Sequence, residues 1–252
     1  FRRVLFRSLD VKPLYNPLSK MEFLSEAKTI VLLVIDGLGY QYLKKYAPSS
    51  FLGRNIKQKL TSVFPSTTAS ALTTLETGVA PQQHSITGWF TYLKELGVVA
   101  KILPFYPRCG GSTFAETKIE REAIFTEARI SDKTNRTSAV VYPEDIIDGK
   151  VNKKDKTMFA YTSFDDMLQI VSKRIQNEKT QHFIYAYWSE FDSICHKHGI
   201  KSSEAFNHFT FLDKKLETFS ASLKGSDTAL IITADHGLID TNQEKVMVID
   251  YF

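Results

Sequence analysis

The stretch Ile30–Asp36 (IVLLVID) is an unbroken apolar run that ends on an aspartate. Two later stretches repeat this form: Phe183–Trp188 (FIYAYW) lies four residues before Asp192, and Ala229–Asp235 (ALIITAD) again ends on an acid. Near-continuous apolar runs of this length are typical of strands that are buried on both faces of a parallel sheet. The three runs therefore predict an α/β fold that carries aspartates after its strands.

Helical segments separate these runs. Residues 67–77 read as a helix that Gly78 ends, and Ser163 begins a capping box at the start of another helix. Residues 203–223 place phenylalanine and leucine at three- and four-residue steps, which is the spacing of an amphipathic helix. Alternation of strand and helix predicts a mostly parallel sheet. Ligands of such sheets bind beyond the carboxyl ends of the strands, so the three aspartates are candidate site residues.

Composition bounds the class of protein. The 252 residues, of which 43% are hydrophobic, predict one domain, or one domain with an insertion. A net charge of +4 is small for a nucleic-acid-binding protein and no such motif is present, but the charge suits a small anionic substrate. Two cysteines do not make a disulfide framework. No apolar stretch reaches the roughly 18–20 residues that span a bilayer.

The two ends of the chain carry separate expectations. The first eight residues match the translation of a common sequencing-adapter oligonucleotide, so residues 1–20 are interpreted as a non-native or leader segment. The chain stops at Val246–Phe252, inside what reads as another strand, which predicts that a C-terminal part is missing. A native basic leader and a native end are the alternatives.

Residues 91–160 differ in composition from the rest, with several prolines and glycines, a lysine-rich polar run and one plausible strand at Thr137–Tyr142. We interpret this range as an insertion. It either forms a partial lid over the strand ends or is a surface excursion with no role. In the first case Phe105, Tyr106 and Arg108 are candidates for contacting a planar or anionic substrate.

Acid–histidine pairs follow two of the apolar runs. Asp192 and His196 are four residues apart and would share one face of a helix, and Asp235 and His236 are adjacent before a glycine that permits a sharp turn. Each pair alone also fits a surface contact or an ordinary strand-end turn. Together with Asp36, however, they would place three carboxylates and two imidazoles on one rim. Such a set predicts a bound cation, because the ligand groups otherwise repel one another.

Three consecutive hydroxyls, Ser66, Thr67 and Thr68, stand at the predicted start of the first long helix. An N-cap needs only one of them. The positive field at a helix N-terminus favours both alkoxide formation and anion binding, so the surplus hydroxyls are candidate functional groups.

In this order, an acid after the first strand, a hydroxyl at a helix start, D-x-x-x-H and then D-H-G resemble the alkaline phosphatase superfamily, and within it the type I phosphodiesterase/nucleotide pyrophosphatase family. The resemblance covers roughly residues 28–90 and 160–240. The stretches that carry it are Val34–Gly39, Phe64–Thr68, Thr77–Pro81, His84, Tyr187–Gly199 and Thr233–Gly237. It implies that residues 21–252 form a three-layer α/β/α sandwich of the alkaline phosphatase type, with the insertion at 91–160.

The resemblance also implies two zinc ions and a role for six residues. One ion would be held by Asp36, Asp235 and His236, the other by Asp192 and His196, and the nucleophile completing the first site would be Thr68. Thr67 is the runner-up for the nucleophile, because the proline-containing position of the diesterase motif is not kept. The sequence assigns no substrate-binding residue.

Two departures from the family pattern weaken parts of this assignment. The diesterases place an asparagine on the phosphoryl oxygens, and the corresponding position here is Trp89. The family's third ligand of the second ion is a histidine well after D-H-G, and none of the six histidines follows His236. His198 is a substitute in principle, but it would diverge from His196 on a helix. We therefore expect this chain to bind one zinc tightly and the second weakly, and to turn over poorly or not at all.

The function that the resemblance implies is two-metal hydrolysis of a phosphate ester through a phospho-threonine intermediate. The substrate would be small and phosphorylated, a nucleotide or another phosphodiester. Two alternatives stay open: a phosphomonoesterase or phosphomutase-like transferase of the same superfamily, and a metal-binding or structural homologue that does not catalyse a reaction.

Overall fold

A computed structural model describes residues 23–150, 157–176 and 180–241. The expectations for residues 1–20, for the polar run near 152–156 and for the final strand at 246–252 lie outside these residues.

The described strands are β1 (Thr29–Ile35), β2 (Phe90–Leu93), β3 (Val98–Lys101), β4 (Tyr106–Pro107), β5 (Thr137–Pro143), β6 (Met158–Tyr161), β7 (His182–Trp188) and β8 (Thr228–Thr233). The described helices are α1 (Phe23–Glu26), α2 (Tyr40–Tyr46), α3 (Phe51–Arg54), α4 (Thr68–Thr77), α5 (Pro81–His84), α6 (Arg121–Ile124), α7 (Ile130–Lys133), α8 (Glu144–Lys150), α9 (Phe164–Gln176), α10 (Glu190–His198) and α11 (Ser203–Ser222).

Five parallel strands form the central sheet in the order β6-β5-β7-β1-β8. Every residue of β1 and of β7 is buried, as their continuous apolar sequences predict. In β8 only Ile231 is buried, because this strand is the edge of the sheet within the described residues. The predicted α/β class with a mostly parallel sheet is confirmed.

Two hydrophobic cores cover the two faces of the sheet. Ile30, Leu32 and Val34 of β1 pack on one side with α4 and the β2–β3 hairpin. The β1 residues between them pack on the other side with α2, α9 and α11. Successive side chains of a strand point to opposite faces, so a fully apolar strand supplies both cores at once. The result is three layers, with helices on both sides of the sheet.

The segment between Phe90 and β5 lies outside the central sheet. It contains the antiparallel strands β2, β3 and β4 and two short helices. The range 91–160 that the sequence predicts as an insertion also contains β5 and all but the last residue of β6, which belong to the central sheet, so the part of the range that precedes the sheet strands is residues 91–136. No helix in the described ranges is long and apolar enough to cross a membrane.

The three proposed substrate contacts of this segment have partners within it. Phe105 is buried against Phe114, with their ring centroids 4.7 Å apart, so it belongs to the packing. The hydroxyl of Tyr106 accepts a hydrogen bond from Lys101, and the Arg108 guanidinium lies 4.3 Å from the centre of an aromatic ring, that of Phe90. For Phe105 the packing interpretation is therefore the correct one.

A half-buried histidine that packs against Trp188 of the second core makes stability depend on pH. The indole N–H of Trp188 donates to Nε2 of His208 at 3.1 Å, which requires that nitrogen to be unprotonated. Burial lowers the pKa of His208 below its ordinary value, and Glu190 opposes this only in part. The unfolded chain therefore binds this proton more readily than the folded one, so the stabilising effect is complete above about pH 6.5 and is lost as the pH falls below it.

We expect the free energy of unfolding of the wild type to fall more steeply from pH 7.5 to pH 5.5 than that of His208→Gln, whose amide oxygen can accept the same indole N–H. Urea unfolding of both proteins across this range measures the difference. If the difference in the free energy of unfolding between the two proteins does not change with pH, the role given to His208 is contradicted.

Candidate functional site

Three neighbouring strands of the sheet deliver three carboxylates to one rim. Asp36 follows β1 directly, and its N–H continues the ladder by donating to the carbonyl of Trp188 in β7 at 2.9 Å. Asp235 stands two residues beyond β8, and Asp192 lies in the first turn of α10 after β7. Since β7, β1 and β8 are adjacent and parallel, all three acids lie at their carboxyl ends. Asp36 and Asp235 are each only 3% exposed.

Three side chains surround Nε2 of His236. This nitrogen lies 3.1 Å from Oγ1 of Thr68, 3.2 Å from Oδ1 of Asp36 and 3.4 Å from Oδ2 of Asp235. One ligand atom from each of Asp36, Asp235 and His236 lies within 4.8 Å of the others, a spacing that could hold a metal ion. The structure thus brings these four predicted residues into one cluster.

In Asp36 and in Asp235, one carboxylate oxygen accepts a hydrogen bond and the other accepts none from the described residues. Oδ2 of Asp36 accepts from the hydroxyl of Tyr187, and Oδ1 of Asp235 accepts from the backbone N–H groups of Gly37, at 3.1 Å, and of His236, at 2.9 Å. Oδ1 of Asp36, Oδ2 of Asp235 and Oδ1 of Asp192 are buried and accept no hydrogen bond from the described residues. Buried carboxylate oxygens without donors are costly, and a cation is the partner that would satisfy them. The donor set, carboxylate and imidazole, fits zinc.

The electrostatics of the cluster also favour an added cation. Burial and, second, the neighbouring Asp36 carboxylate together raise the pKa of Asp235 to about 8, despite the opposing effect of His236. Burial and Asp36 together raise the pKa of Asp192 to about 6. Burial lowers the pKa of His236, but contact with Asp36 and the attraction of Asp235 and Asp192 outweigh it and raise the pKa to about 9. The imidazolium therefore takes the place of a cation among the acids.

Glycines bring the two ligand-bearing turns together. Gly37 has a φ of +71°, in the left-handed region that favours glycine, and its N–H reaches Asp235. A Cβ on Gly39 would lie 2.5 Å from Cα of Gly237, so the two turns touch backbone to backbone. The hydroxyl of Ser62 also donates to the carbonyl of Asp235 at 2.5 Å. These contacts fix the position of the turn that carries His236.

Thr68 is the first residue of α4, and Thr67 is its N-cap. The Thr68 side chain is buried and contacts His236, whereas Thr67 makes no capping hydrogen bond with its side chain and Ser66 is exposed. Of the three predicted hydroxyls, Thr68 is the one placed in the cluster. Its position at the start of a ten-residue helix adds unpaired backbone N–H groups beside it.

The second predicted pair is more open. Asp192 and His196 lie one turn apart on α10, with Oδ2 and Nε2 3.4 Å apart, but the His196 side chain is 71% exposed. His198, the possible substitute, has its Nδ1 3.8 Å from Glu204 instead. Across the described ranges, one group of three potential metal ligands lies close together, and it does not include this pair. The pair therefore offers two side chains, which hold zinc less well than three.

Two residues that the resemblance singles out lie elsewhere in the packing. His84 is buried, accepts from the N–H of Ile86 at Nδ1 and contacts the Thr74 hydroxyl at 3.0 Å, so it supports the loop after α4. Trp89 packs partly buried against the first core, and its carbonyl accepts from Ile102. Tyr187 and Gly39 lie in stretches that carry the resemblance, but sequence reasoning gave neither a role, because a tyrosine in an apolar run and a glycine in a turn carry no functional signal of their own.

Comparison with known proteins identifies relatives of this chain. The family model described as type I phosphodiesterase / nucleotide pyrophosphatase matches residues 30–252. The human protein ectonucleotide pyrophosphatase/phosphodiesterase family member 5 is 24% identical over 245 residues, which are 90% of this chain and 48% of the human protein. The chain thus spans about half the length of this curated relative.

Several solved structures share the fold of this chain. Murine ectonucleotide pyrophosphatase/phosphodiesterase 5 superposes with a TM-score of 0.67 at 20% identity, covering 88% of this chain and 60% of the murine chain. An inactive variant of the murine protein, with a threonine replaced by alanine and in complex with AMP, gives a TM-score of 0.68 at the same identity and coverage. The alkaline phosphatase PafA gives 0.56 at 18% identity, with coverage of 88% and 64%. These likenesses confirm the alkaline phosphatase-like fold.

Proposed function

We propose a function from the premise that this chain belongs to the type I phosphodiesterase / nucleotide pyrophosphatase family. The chain would hydrolyse phosphodiester or pyrophosphate bonds of small nucleotide-like substrates. Two divalent metal ions would assist the reaction, and Thr68 would be the nucleophile. One observation carries this proposal. The Thr68 hydroxyl lies 3.1 Å from Nε2 of His236, and the buried oxygens Oδ1 of Asp36 and Oδ2 of Asp235 lie 3.2 Å and 3.4 Å from the same nitrogen. The murine relative bound to AMP supports a nucleotide-like substrate.

Each residue of the cluster has a defined part in this mechanism. Asp36, Asp235, His236 and Thr68 would hold one ion, and Asp192 and His196 would contribute to the second. When bound, such ions lower the pKa of a hydroxyl and stabilise the charge of a leaving oxygen. Zinc is the expected metal, since the ligands are imidazole and carboxylate groups.

Thr68 supplies the reacting oxygen. Its Oγ1 would attack phosphorus and expel the leaving alcohol or phosphate, and water would then cleave the phospho-threonine ester. The N-terminus of α4, which Thr68 begins, would present backbone N–H groups and the positive end of the helix dipole to the phosphoryl oxygens. The asparagine of the diesterases is replaced by Trp89, so these N–H groups would take a larger share of that charge.

A substrate panel tests the proposal. The chain is assayed with excess zinc on a chromogenic phosphodiester, the matching monoester and a dinucleotide, before and after chelation. Metal-dependent cleavage of the diester or dinucleotide supports the proposal, whereas preference for the monoester favours the phosphomonoesterase alternative. Transfer of phosphate to an added alcohol instead of water favours the transferase. Zinc binding without turnover on any substrate favours a homologue that does not catalyse a reaction.

Metal binding should release protons. His236 has its pKa raised to about 9, so at pH 7 it is protonated and must lose that proton to ligate a metal. Asp235, whose pKa is raised to about 8, must likewise be deprotonated to ligate the ion. We therefore expect zinc affinity to rise with pH between 6 and 9, and between one and two protons to be released per tightly bound ion at pH 7. Calorimetric titration in buffers of different ionisation enthalpy counts these protons. Affinity independent of pH over this range would contradict His236 as a ligand.

A further inference from the structure

The hydroxyl of Tyr187 is a buried group in the cluster that the proposed mechanism does not use. Tyr187 belongs to β7 and lies opposite Val34 of β1 in the parallel register. Side chains two residues apart on a strand share a face, so Tyr187 and Asp36 are on the same side of the sheet. From the buried face, the Tyr187 hydroxyl donates to Oδ2 of Asp36.

This hydrogen bond makes the two carboxylate oxygens of Asp36 different from each other. Oδ2 is occupied by the tyrosine, while Oδ1 is buried, accepts no hydrogen bond from the described residues and lies 3.2 Å from Nε2 of His236. Only Oδ1 therefore faces the other ligands. A carboxylate held in this way offers one oxygen in a fixed direction and does not rotate to offer both.

We propose that Tyr187 is a positioning residue, which locks the Asp36 carboxylate so that it presents a single oxygen to a metal ion. The inference rests on the proposed metal site but adds a residue that none of the sequence motifs assigns to it. Hydrogen bonds from outer groups orient metal ligands in general, and removing such a group typically lowers metal affinity by about 10- to 100-fold.

The neighbouring Tyr185 provides a matched control. It lies two residues earlier on β7, so it shares the face of Tyr187, and it is buried to nearly the same extent. Its hydroxyl makes no hydrogen bond to either Asp36 or Asp235. Tyr185→Phe and Tyr187→Phe thus each remove one hydroxyl from the same strand. Only Tyr187→Phe removes a hydrogen bond to a proposed metal ligand, Asp36.

Zinc affinity is measured by competition with a chromophoric chelator, and the Co²⁺-substituted proteins report ligand geometry by their visible absorption. We expect Tyr187→Phe to weaken zinc binding by about 10- to 100-fold and to alter the Co²⁺ spectrum. Tyr185→Phe should stay within about twofold of the wild type with an unchanged spectrum. Equal affinity and equal spectra for Tyr187→Phe and the wild type would overturn the inference.

A double-mutant cycle with Asp36→Asn separates positioning from a general loss of packing. If Tyr187 acts through Asp36, then Tyr187→Phe adds no further loss of zinc affinity in the Asp36→Asn background. A loss by the same factor in both backgrounds would overturn the inference. The comparison of Asp36→Asn with Asp36→Asn/Tyr187→Phe also serves if the single Tyr187→Phe protein does not fold, because the buried charge that lacks a donor is then absent.

The proposed function and this inference fail in different ways. If the wild type binds no zinc or Co²⁺ at all, the proposed metal site fails. If the wild type binds the metal and Tyr187→Phe binds it equally well, the metal site stands and the role of Tyr187 is refuted.

Discussion

Replacing Thr68 with alanine should lower kcat on a chromogenic phosphodiester by at least about 10³-fold, with zinc still bound. Loss of a nucleophile costs rate on this scale because the covalent route is removed, while binding and charge stabilisation remain. Asp36, Asp235 and His236 stay in place in this variant, and three protein ligands suffice for a catalytic zinc site. We therefore expect zinc affinity to fall by less than about tenfold. Single-turnover assays with excess zinc and chelator competition measure the two quantities separately.

Thr67→Ala is the matched control for this prediction. Thr67 is the adjacent residue and the N-cap of α4, but its side chain makes no capping hydrogen bond, so its loss should change kcat only slightly. Thr68→Ser, which keeps the hydroxyl, should retain part of the activity. An active Thr68→Ala protein and an inactive Thr67→Ala protein would move the nucleophile by one residue.

The buried strands were predictable because their sequences admit few alternatives. An apolar run such as Ile30–Ile35 cannot face water on either side, and the structure buries all of β1. The same property makes the position of Asp36 predictable, since an acid at the end of such a strand has to leave the core at its rim. The end of the α4 helix was predictable as well, because Gly78 follows its last residue with a φ of +78°, in the left-handed region that favours glycine.

The limits of residues 91–160 were less predictable. The sequence predicted a strand at Thr137–Tyr142, and the structure has one at Thr137–Pro143, but its membership in the central sheet was not predicted. A short apolar run does not show which strands it pairs with, and the four residues of β6 are too few for a periodic signal. Strand order, which places β5 beside β7, depends on contacts that are distant in the sequence.

The contacts that hold the ligands in place were also beyond sequence reasoning. Tyr187 lies inside an apolar run and reads as a core residue, and it is indeed buried in the core. Its hydroxyl becomes part of the site only because β7 lies directly beside β1. The approach of Gly39 to Gly237 likewise joins residues almost 200 positions apart. Motifs identify the residues that would bind a metal, whereas the fold determines which residues hold them.

Gly39→Ala should disrupt the metal site solely through the close approach of Gly39 to Gly237. The backbone at Gly39 has φ −70° and ψ 160°, which alanine adopts without strain. The added Cβ, however, would lie 2.5 Å from Cα of Gly237 and 3.3 Å from the carbonyl oxygen of His236. These are backbone atoms, so the clash is relieved only if the turn that carries His236 moves. We expect a loss of about 1–3 kcal/mol in the free energy of unfolding and at least about tenfold weaker zinc binding.

Gly53→Ala separates damage to the site from damage to the fold. A Cβ on Gly53 would lie 2.2 Å from the carbonyl oxygen of Ala47, a backbone clash of at least equal severity, but in α3 and away from the ligands. Both variants should therefore unfold at lower urea concentration than the wild type. Only Gly39→Ala should also show weaker zinc binding and lower kcat in its folded fraction, as measured by chelator competition and by assays below the unfolding transition. If both variants lose stability and both bind zinc like the wild type, the turn has moved without disturbing His236, and the contact between the two glycines does not position the ligand.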